Sequence, residues 1–394
     1  MSTIEDLDPE FLRARLSAKW SSFAAPVLPS NPAEMDFGVA PAIQAAMQRV
    51  VSRQQYGYST RGPGSPTVLL AESFARRMKD KFGWDGADPS HVMVVSDLIQ
   101  AVMASILAFS EPDEGVALQV PSYPAFLGII AQSGRSPVLN PMRNTGSRYE
   151  LDSKQFRAVA DEKTRVLLLC LPQNPTGRVF PREELAPIVE HAIAHNMIIV
   201  ADEIHADLML DGREHIPFAR MFPEAAERTI TLYSATKSFN IPGLRTAIMH
   251  FGSADLMARL QSRVPPMLLG TPASPGTFAT LAAWDESEDW CQMLIPALEA
   301  NRDHMLARLA EELPDVTMYL PESTYLAWAD FSAVPMNAVP YEKLLNDAQV
   351  AGGDGRNFGP HYERFVRLNF ATSRAILDEK LDRIVEAVRA RMPA

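Results

Sequence analysis

Tyr233-Ser234-Ala235-Thr236-Lys237-Ser238-Phe239-Asn240-Ile241-Pro242-Gly243-Leu244-Arg245 follows a β-rich run, Arg228-Thr-Ile-Thr-Leu-Tyr233, and carries one lysine. Small hydroxyl residues flank that lysine at the strand end, an apolar turn follows, and an arginine lies eight positions on. A lysine so placed reads either as a solvated surface cation or as an amine held in a pocket. What surrounds it in the chain decides between the two.

From about residue 64 the sequence alternates helical and strand patterns. Amphipathic periodicity predicts helices over 66–82, 97–108, 124–130 and 181–196. Strands are predicted at 91–95, 115–120, 137–139, 165–171, 197–201, 229–233 and 246–251. The continuous apolar runs 165–171 and 197–201 have the character of strands buried on both faces. Such alternation predicts an α/β fold with a mostly parallel central sheet. After about 253 longer helices, over 275–284 and 288–312, lead into strands at 324–330 and 365–369, with helices at 341–349 and 374–391. This part reads as a smaller α+β unit. A helix is also predicted over 9–20, followed by an extended segment paced by Pro26, Pro29 and Pro32. Residues 46–285 are expected to form the large domain, with 1–45 and 286–394 making the small one.

Composition narrows the function. With 37 Lys and Arg against 48 Asp and Glu, the chain of 394 residues carries a net charge of −11. It shows no basic stripe, so neither nucleic acid nor an anionic membrane is an expected partner. Two cysteines, Cys170 and Cys291, make no disulfide framework and fit a reducing, cytoplasmic setting. The acidic start has no apolar core of a signal peptide, and no apolar run reaches membrane-spanning length.

Four features fall at the C-terminal ends of predicted strands, where open parallel sheets bind ligands. Asn174-Pro175-Thr176-Gly177 is either a plain turn or the presentation of an amide side chain to a ligand. Asp202-Glu203-Ile204-His205 puts a carboxylate at the end of an apolar strand. Asp202 there is a helix cap or the partner of a buried cation, and His205 a polar contact within the fold or a ligand neighbour. Around Lys237, Ser234 and Arg245 could hold a phosphate. At Ser96-Asp97-Leu98-Ile99-Gln100 a helix N-terminus offers backbone amides to an anion. Together these specify an aldehyde cofactor with a phosphate arm and a protonated pyridine, which is pyridoxal 5′-phosphate (PLP).

The ordered set Asn174-Pro-Thr-Gly, Asp202 and Ser-Ala-Thr-Lys237 resembles the class I/II aminotransferase superfamily, the fold type I PLP enzymes. Within it the chain is similar to the cystathionine β-lyase/cysteine-S-conjugate β-lyase branch. The resemblance runs through Lys19-Trp20, Glu34-Met-Asp-Phe37, Tyr56-Gly-Tyr58, Pro121-Ser-Tyr123, Asp202-Glu-Ile-His205, Lys237-Ser-Phe-Asn-Ile-Pro242, Thr324-Tyr-Leu-Ala-Trp328 and Arg367-Leu-Asn369 with Ser373-Arg374. It implies that Lys237 carries the cofactor and shuttles the Cα proton, and that Asp202 keeps the pyridine nitrogen protonated. Asn174 would bond the ring hydroxyl, with Tyr123 stacked on the ring and His205 beside it. The phosphate falls to Ser234, Arg245 and the amides of Leu98 and Ile99, and to Tyr58 of a second subunit in a homodimer. Arg374, with Asn174 and Tyr123, would bind the substrate, Arg374 taking its α-carboxylate. The implied reaction is cleavage of cystathionine or another cysteine S-conjugate. An aminotransferase is the alternative, and a decarboxylating or oxidative enzyme acting on an S-conjugated amino acid in secondary metabolism a third. Three positions depart from the branch. Arg245 is an arginine more typical of aminotransferases, Asp97 stands where a small residue is common, and Ser30-Asn31-Pro32-Ala33 replaces an apolar-Trp-Val-Ala segment.

Overall fold

Apolar strands flanked by helices must bury both faces, and the chain does this with a seven-stranded sheet. The computed structural model describes residues 4–58 and 62–390. Strand order is Val92–Val95, Ala247–Phe251, Thr229–Tyr233, Ile198–Asp202, Thr164–Cys170, Gly115–Val120 and Ser136–Pro141. From Thr229–Tyr233 to Ser136–Pro141 every neighbouring pair is parallel. Alternation along the strands splits the core in two. Val166, Leu168, Ile198 and Val200 pack with the helix Leu98–Phe109 on one face. Leu167, Leu169, Ile199 and Ala201 pack with Arg182–Ala194 on the other.

Ala247–Phe251 is the exception, antiparallel to both neighbours. A parallel return needs a crossover of a dozen or more residues, usually through a helix. The link from Tyr233 to Ala247 spends its length on the lysine loop and one short turn, Pro242–Leu244, so the chain doubles back.

A second sheet, Thr317–Met318, Leu326–Asp330, Phe365–Asn369 and Gly353–Asp354, is antiparallel throughout. Two predicted elements differ. The helix expected over 9–20 is two short pieces, Pro9–Ala14 and Ala18–Ser21, because Leu16 turns left-handed (φ +53°) and Ser17 starts the second piece. The strand expected from 324 begins at Leu326, since Thr324 is also left-handed and its hydroxyl takes the Leu326 amide at 3.1 Å.

Residues 28–37 stitch the two sheets together. Leu28–Pro29 pairs in parallel with Val350–Ala351. The Asn369 side chain donates to the carbonyls of Pro32 (3.0 Å) and Glu34 (2.8 Å). On the other side Asn240, three residues past Lys237, donates to the carbonyls of Met35 and Phe37 and accepts the Met35 amide. Under this segment lies a buried charge cluster. Asp36 accepts the Trp20 indole N–H at 2.6 Å and pairs with Lys19 at 2.9 Å and Lys380 at 4.0 Å. Burial pushes the Asp36 carboxyl up, but the two ammonium groups hold it below its ordinary value. Burial, then Lys19, lowers Lys380 to about 7. Because that amine is depressed in the folded state, its cost to stability is full below about pH 7 and fades as pH rises towards its unfolded value near 10.5. Asp36→Ala strands the buried Lys19 cation beside the Lys380 amine, and is expected to cost about 3–5 kcal/mol, read as a lowered urea midpoint.

Candidate active site

Parallel strands that end in register deliver their following loops to one place. Cys170 lies beside Asp202 and Asp202 beside Leu232. The loops beyond them, with the helix start at Leu98 and the strand residue Arg367, enclose a cavity of about 260 Å³. Lys237, Asp202, Asn174, Tyr123, Ser234, Arg245, Leu98, Ile99 and His205 all line it.

Lys237 is half-buried at the cavity, with Nζ 2.8 Å from the carbonyl of Ala33. Burial first, and the charge of Arg367 second, lower its pKa to about 8. The side chain lines the cavity rather than the outer surface. Asp202 ends its strand at 5 % exposure, and its Oδ1 accepts only the Ile204 amide, at 3.1 Å. That bond is a local turn rather than a helix cap. Burial raises the carboxyl to about 7. His205 is buried, its Nδ1 has no partner, and burial, then Lys237 and Arg367, lower it to about 3, so the ring is neutral. It is therefore not the satisfied internal contact that its sequence position also allowed.

Asn174 is set by a rigid turn. Gln173 accepts from the amide (2.9 Å) and hydroxyl (2.6 Å) of Thr176 and donates to the Pro121 carbonyl at 2.7 Å. Gly177 closes the turn at φ +70°, where a Cβ would lie 2.9 Å from the Pro321 Cα, so only glycine fits. Tyr123 precedes the helix Pro124–Gln132, is edge-on to Phe126, and burial raises its phenol. The Ser234 hydroxyl lies 2.7 Å from the Thr246 carbonyl and 2.9 Å from the Thr236 hydroxyl. Asp97 caps the helix Leu98–Phe109 through the Gln100 amide at 2.7 Å and is ion-paired with Arg245. The first amides of that helix have no intrahelical acceptor.

Arg374 is corrected by the structure. It opens the helix Arg374–Arg389, donates to the Ala300 carbonyl at 2.8 Å and lies outside the cavity lining. Besides Arg245, the arginine that lines the cavity is Arg367. It sits mid-strand at 3 % exposure, giving Nη1 to Asn174 Oδ1 at 3.0 Å and Nη2 to Asn31 Oδ1 at 2.5 Å. Its Nε has no acceptor, and among the described residues it has no carboxylate partner. Burial lowers its pKa to about 10. Tyr58 is fully exposed and away from the cavity within one chain. Cys170 also lines the cavity, but burial pushes its thiol well up and it donates to the Pro172 carbonyl.

The two ends of the cavity present groups that match those of PLP. Asp202 is a buried carboxyl with no ion-pair partner among the described residues, which a protonated ring nitrogen would supply. The free amides of Leu98 and Ile99, the hydroxyls of Ser234 and Thr236, and Arg245 suit a phosphate. Lys237 is a half-buried amine whose depressed pKa makes it nucleophilic towards an aldehyde. The residues fit the cofactor.

Comparison with known proteins agrees. The model of the family "Aminotransferase class I and II" matches residues 33–387. Cystathionine beta-lyase PatB of Bacillus subtilis is 31 % identical over 363 residues, 92 % of each chain. The crystal structure of OvoB superposes with a TM-score of 0.88 at 33 % identity, covering 96 % of this chain and 97 % of that one. The PLP-bound C-S lyase from Staphylococcus hominis, 24 % identical over 100 % of both chains with a TM-score of 0.90, shares the fold. On its sequence, its sheet order and its lysine-centred cavity, the chain belongs to the class I and II aminotransferase family, with the fold of the type I PLP enzymes.

Proposed function

We propose that this protein is a PLP-dependent carbon–sulfur β-lyase that converts cystathionine or another cysteine S-conjugate, with water, into a thiol, pyruvate and ammonia. The observation that carries the amino-acid substrate is Arg367, a buried guanidinium oriented by two neutral amide oxygens and lacking an anion. An α-carboxylate supplies that anion in bidentate fashion. The likeness to a cystathionine beta-lyase over 92 % of both chains favours β-elimination.

When bound, PLP supplies an electron sink for charge developed at the substrate Cα. The chain's own residues do the rest. Arg367 fixes the carboxylate, and Asn174, tied to Arg367, is held in one amide orientation. Asp202 retains the proton on the ring nitrogen. Tyr123 forms an aromatic wall. Lys237 Nζ, neutral above about pH 8 before loading, is the base for the Cα proton. The apolar wall of Pro32 and Ala33 and the roof of Tyr123 limit water around it.

An aminotransferase is the second reading, kept open by Arg245 at the cavity. The two separate on one measurement: the enzyme is incubated with cystathionine and S-alkyl cysteines, and pyruvate, thiol and amino-acid products are quantified. Pyruvate with stoichiometric thiol and no added keto acid is the expected result. Turnover only with a keto acid present would overturn the lyase reading.

We also infer a homodimer in a reducing cytoplasm. Tyr56, Tyr58, Met267 and Leu268 expose large apolar surface, and the Leu268 and Leu269 carbonyls accept from Gln100 beside the helix start at the cavity. A partner covering these residues would bring Tyr58 to the neighbouring phosphate end. Both cysteines are free thiols, and among the described residues no helix is long and apolar enough to cross a membrane.

A further inference from the structure

We propose that Asp97 is a resident anion at the phosphate end of the cavity and weakens the protein's hold on a phosphate-bearing cofactor. The inference rests on the PLP reading above. Its basis is what the two carboxylate oxygens do. Oδ1 accepts the Gln100 amide at 2.7 Å, taking one of the helix-start donors that an anion seeks. Oδ2 pairs with the guanidinium of Arg245. Asp97, Arg245, Ser234, Leu98 and Ile99 line one cavity.

Arg245 has no other acidic partner among the described residues, and its side chain is 66 % exposed. With Asp97 in place, Arg245 is already ion-paired. An incoming phosphate dianion then meets two free amides and the hydroxyls of Ser234 and Thr236, with a carboxylate beside them. It must share Arg245 with Asp97 or draw it away. Either arrangement leaves two anions close together, and their repulsion is set against the phosphate contacts. The carboxylate thus acts as an internal competitor for the phosphate site.

A purely structural role for Asp97 is the helix cap, and asparagine keeps that role. Its side-chain oxygen caps as well as aspartate's, without the charge. Asp97→Asn therefore separates cap from charge. Full-length wild type and Asp97→Asn, stripped of cofactor, are titrated with PLP and with pyridoxal, which lacks the phosphate, and dissociation constants are read from absorbance. Asp97→Asn is expected to bind PLP about tenfold tighter or more, with pyridoxal affinity changed less than about twofold. Inorganic phosphate should also compete with PLP more strongly in the variant. Equal or weaker PLP binding, or an equal gain for pyridoxal, would overturn the proposal. Borohydride trapping on wild type and variant distinguishes the two levels of failure. A trapped adduct at Lys237 with unchanged affinity overturns only the role of Asp97, whereas no adduct at Lys237 in either protein overturns the cofactor reading and this proposal with it.

Discussion

Lys237→Ala is expected to lose at least about 10³-fold in turnover, since one residue serves as cofactor anchor and as proton carrier at Cα. The variant should fold, because among the described residues the lysine bonds to the Ala33 carbonyl alone and its removal relieves a half-buried amine. Two readouts check the assignment. Borohydride reduction should fix cofactor to wild type at Lys237 and leave the alanine variant unlabelled. Loading of the cofactor-free wild type should also depend on pH. Only the neutral amine captures an aldehyde, so the rate should rise about tenfold per pH unit below about 8 and level off above it, following the lowered pKa of Lys237. A pH-independent rate across that range, or a reducible adduct in Lys237→Ala, would remove Lys237 from its place.

Arg367→Ala should raise KM or lower kcat/KM by about 100-fold, the worth of a buried bidentate charge-assisted pair. Absorbance of the loaded cofactor should survive, because Arg367 gives its hydrogen bonds to Asn174 and Asn31 rather than to Lys237 or Asp202. Arg374→Ala, which loses one bond to the Ala300 carbonyl at a part-exposed helix start, is expected to stay within about twofold of wild type. Steady-state kinetics on a single S-alkyl cysteine decides it. A large KM effect from Arg374→Ala with none from Arg367→Ala would reverse the assignment.

The contrast between these two arginines shows what was legible in the sequence. Asn174, Asp202 and Lys237 were visible because each follows an apolar strand directly, and strand ends are where a parallel sheet gathers chemistry. Arg367 lies inside Phe365-Val-Arg-Leu-Asn369, and its burial depends on the strand's position between Leu326–Asp330 and Gly353–Asp354. A charge between Val366 and Leu368 was nevertheless the available signal, since an arginine within an apolar strand has to meet an anion or an amide. Ser373-Arg374 drew attention as a motif but is a helix start, with Ser373 capping the Ile376 amide. Asp97 was conspicuous in the sequence, but its engagement of Arg245, 148 residues away, was beyond the reach of pattern. The broken first helix was missed because Ser17 reads as well mid-helix as it does as a cap.

The strap formed by residues 28–37 bears on how the protein comes into being. Ser30 meets Asn369 across 339 positions of chain. At about 5–20 residues per second of synthesis, the strap leaves the ribosome roughly 20–70 s before its anchor exists. Met35 and Phe37, fully buried in the finished protein, lack part of their cover for that interval. Asn240 arrives earlier and can hold one edge of the strap, but Asn369 comes 339 positions after Ser30. The cavity wall at Ala33 is therefore settled only after Asn369 has been made, and cofactor capture has to wait for it.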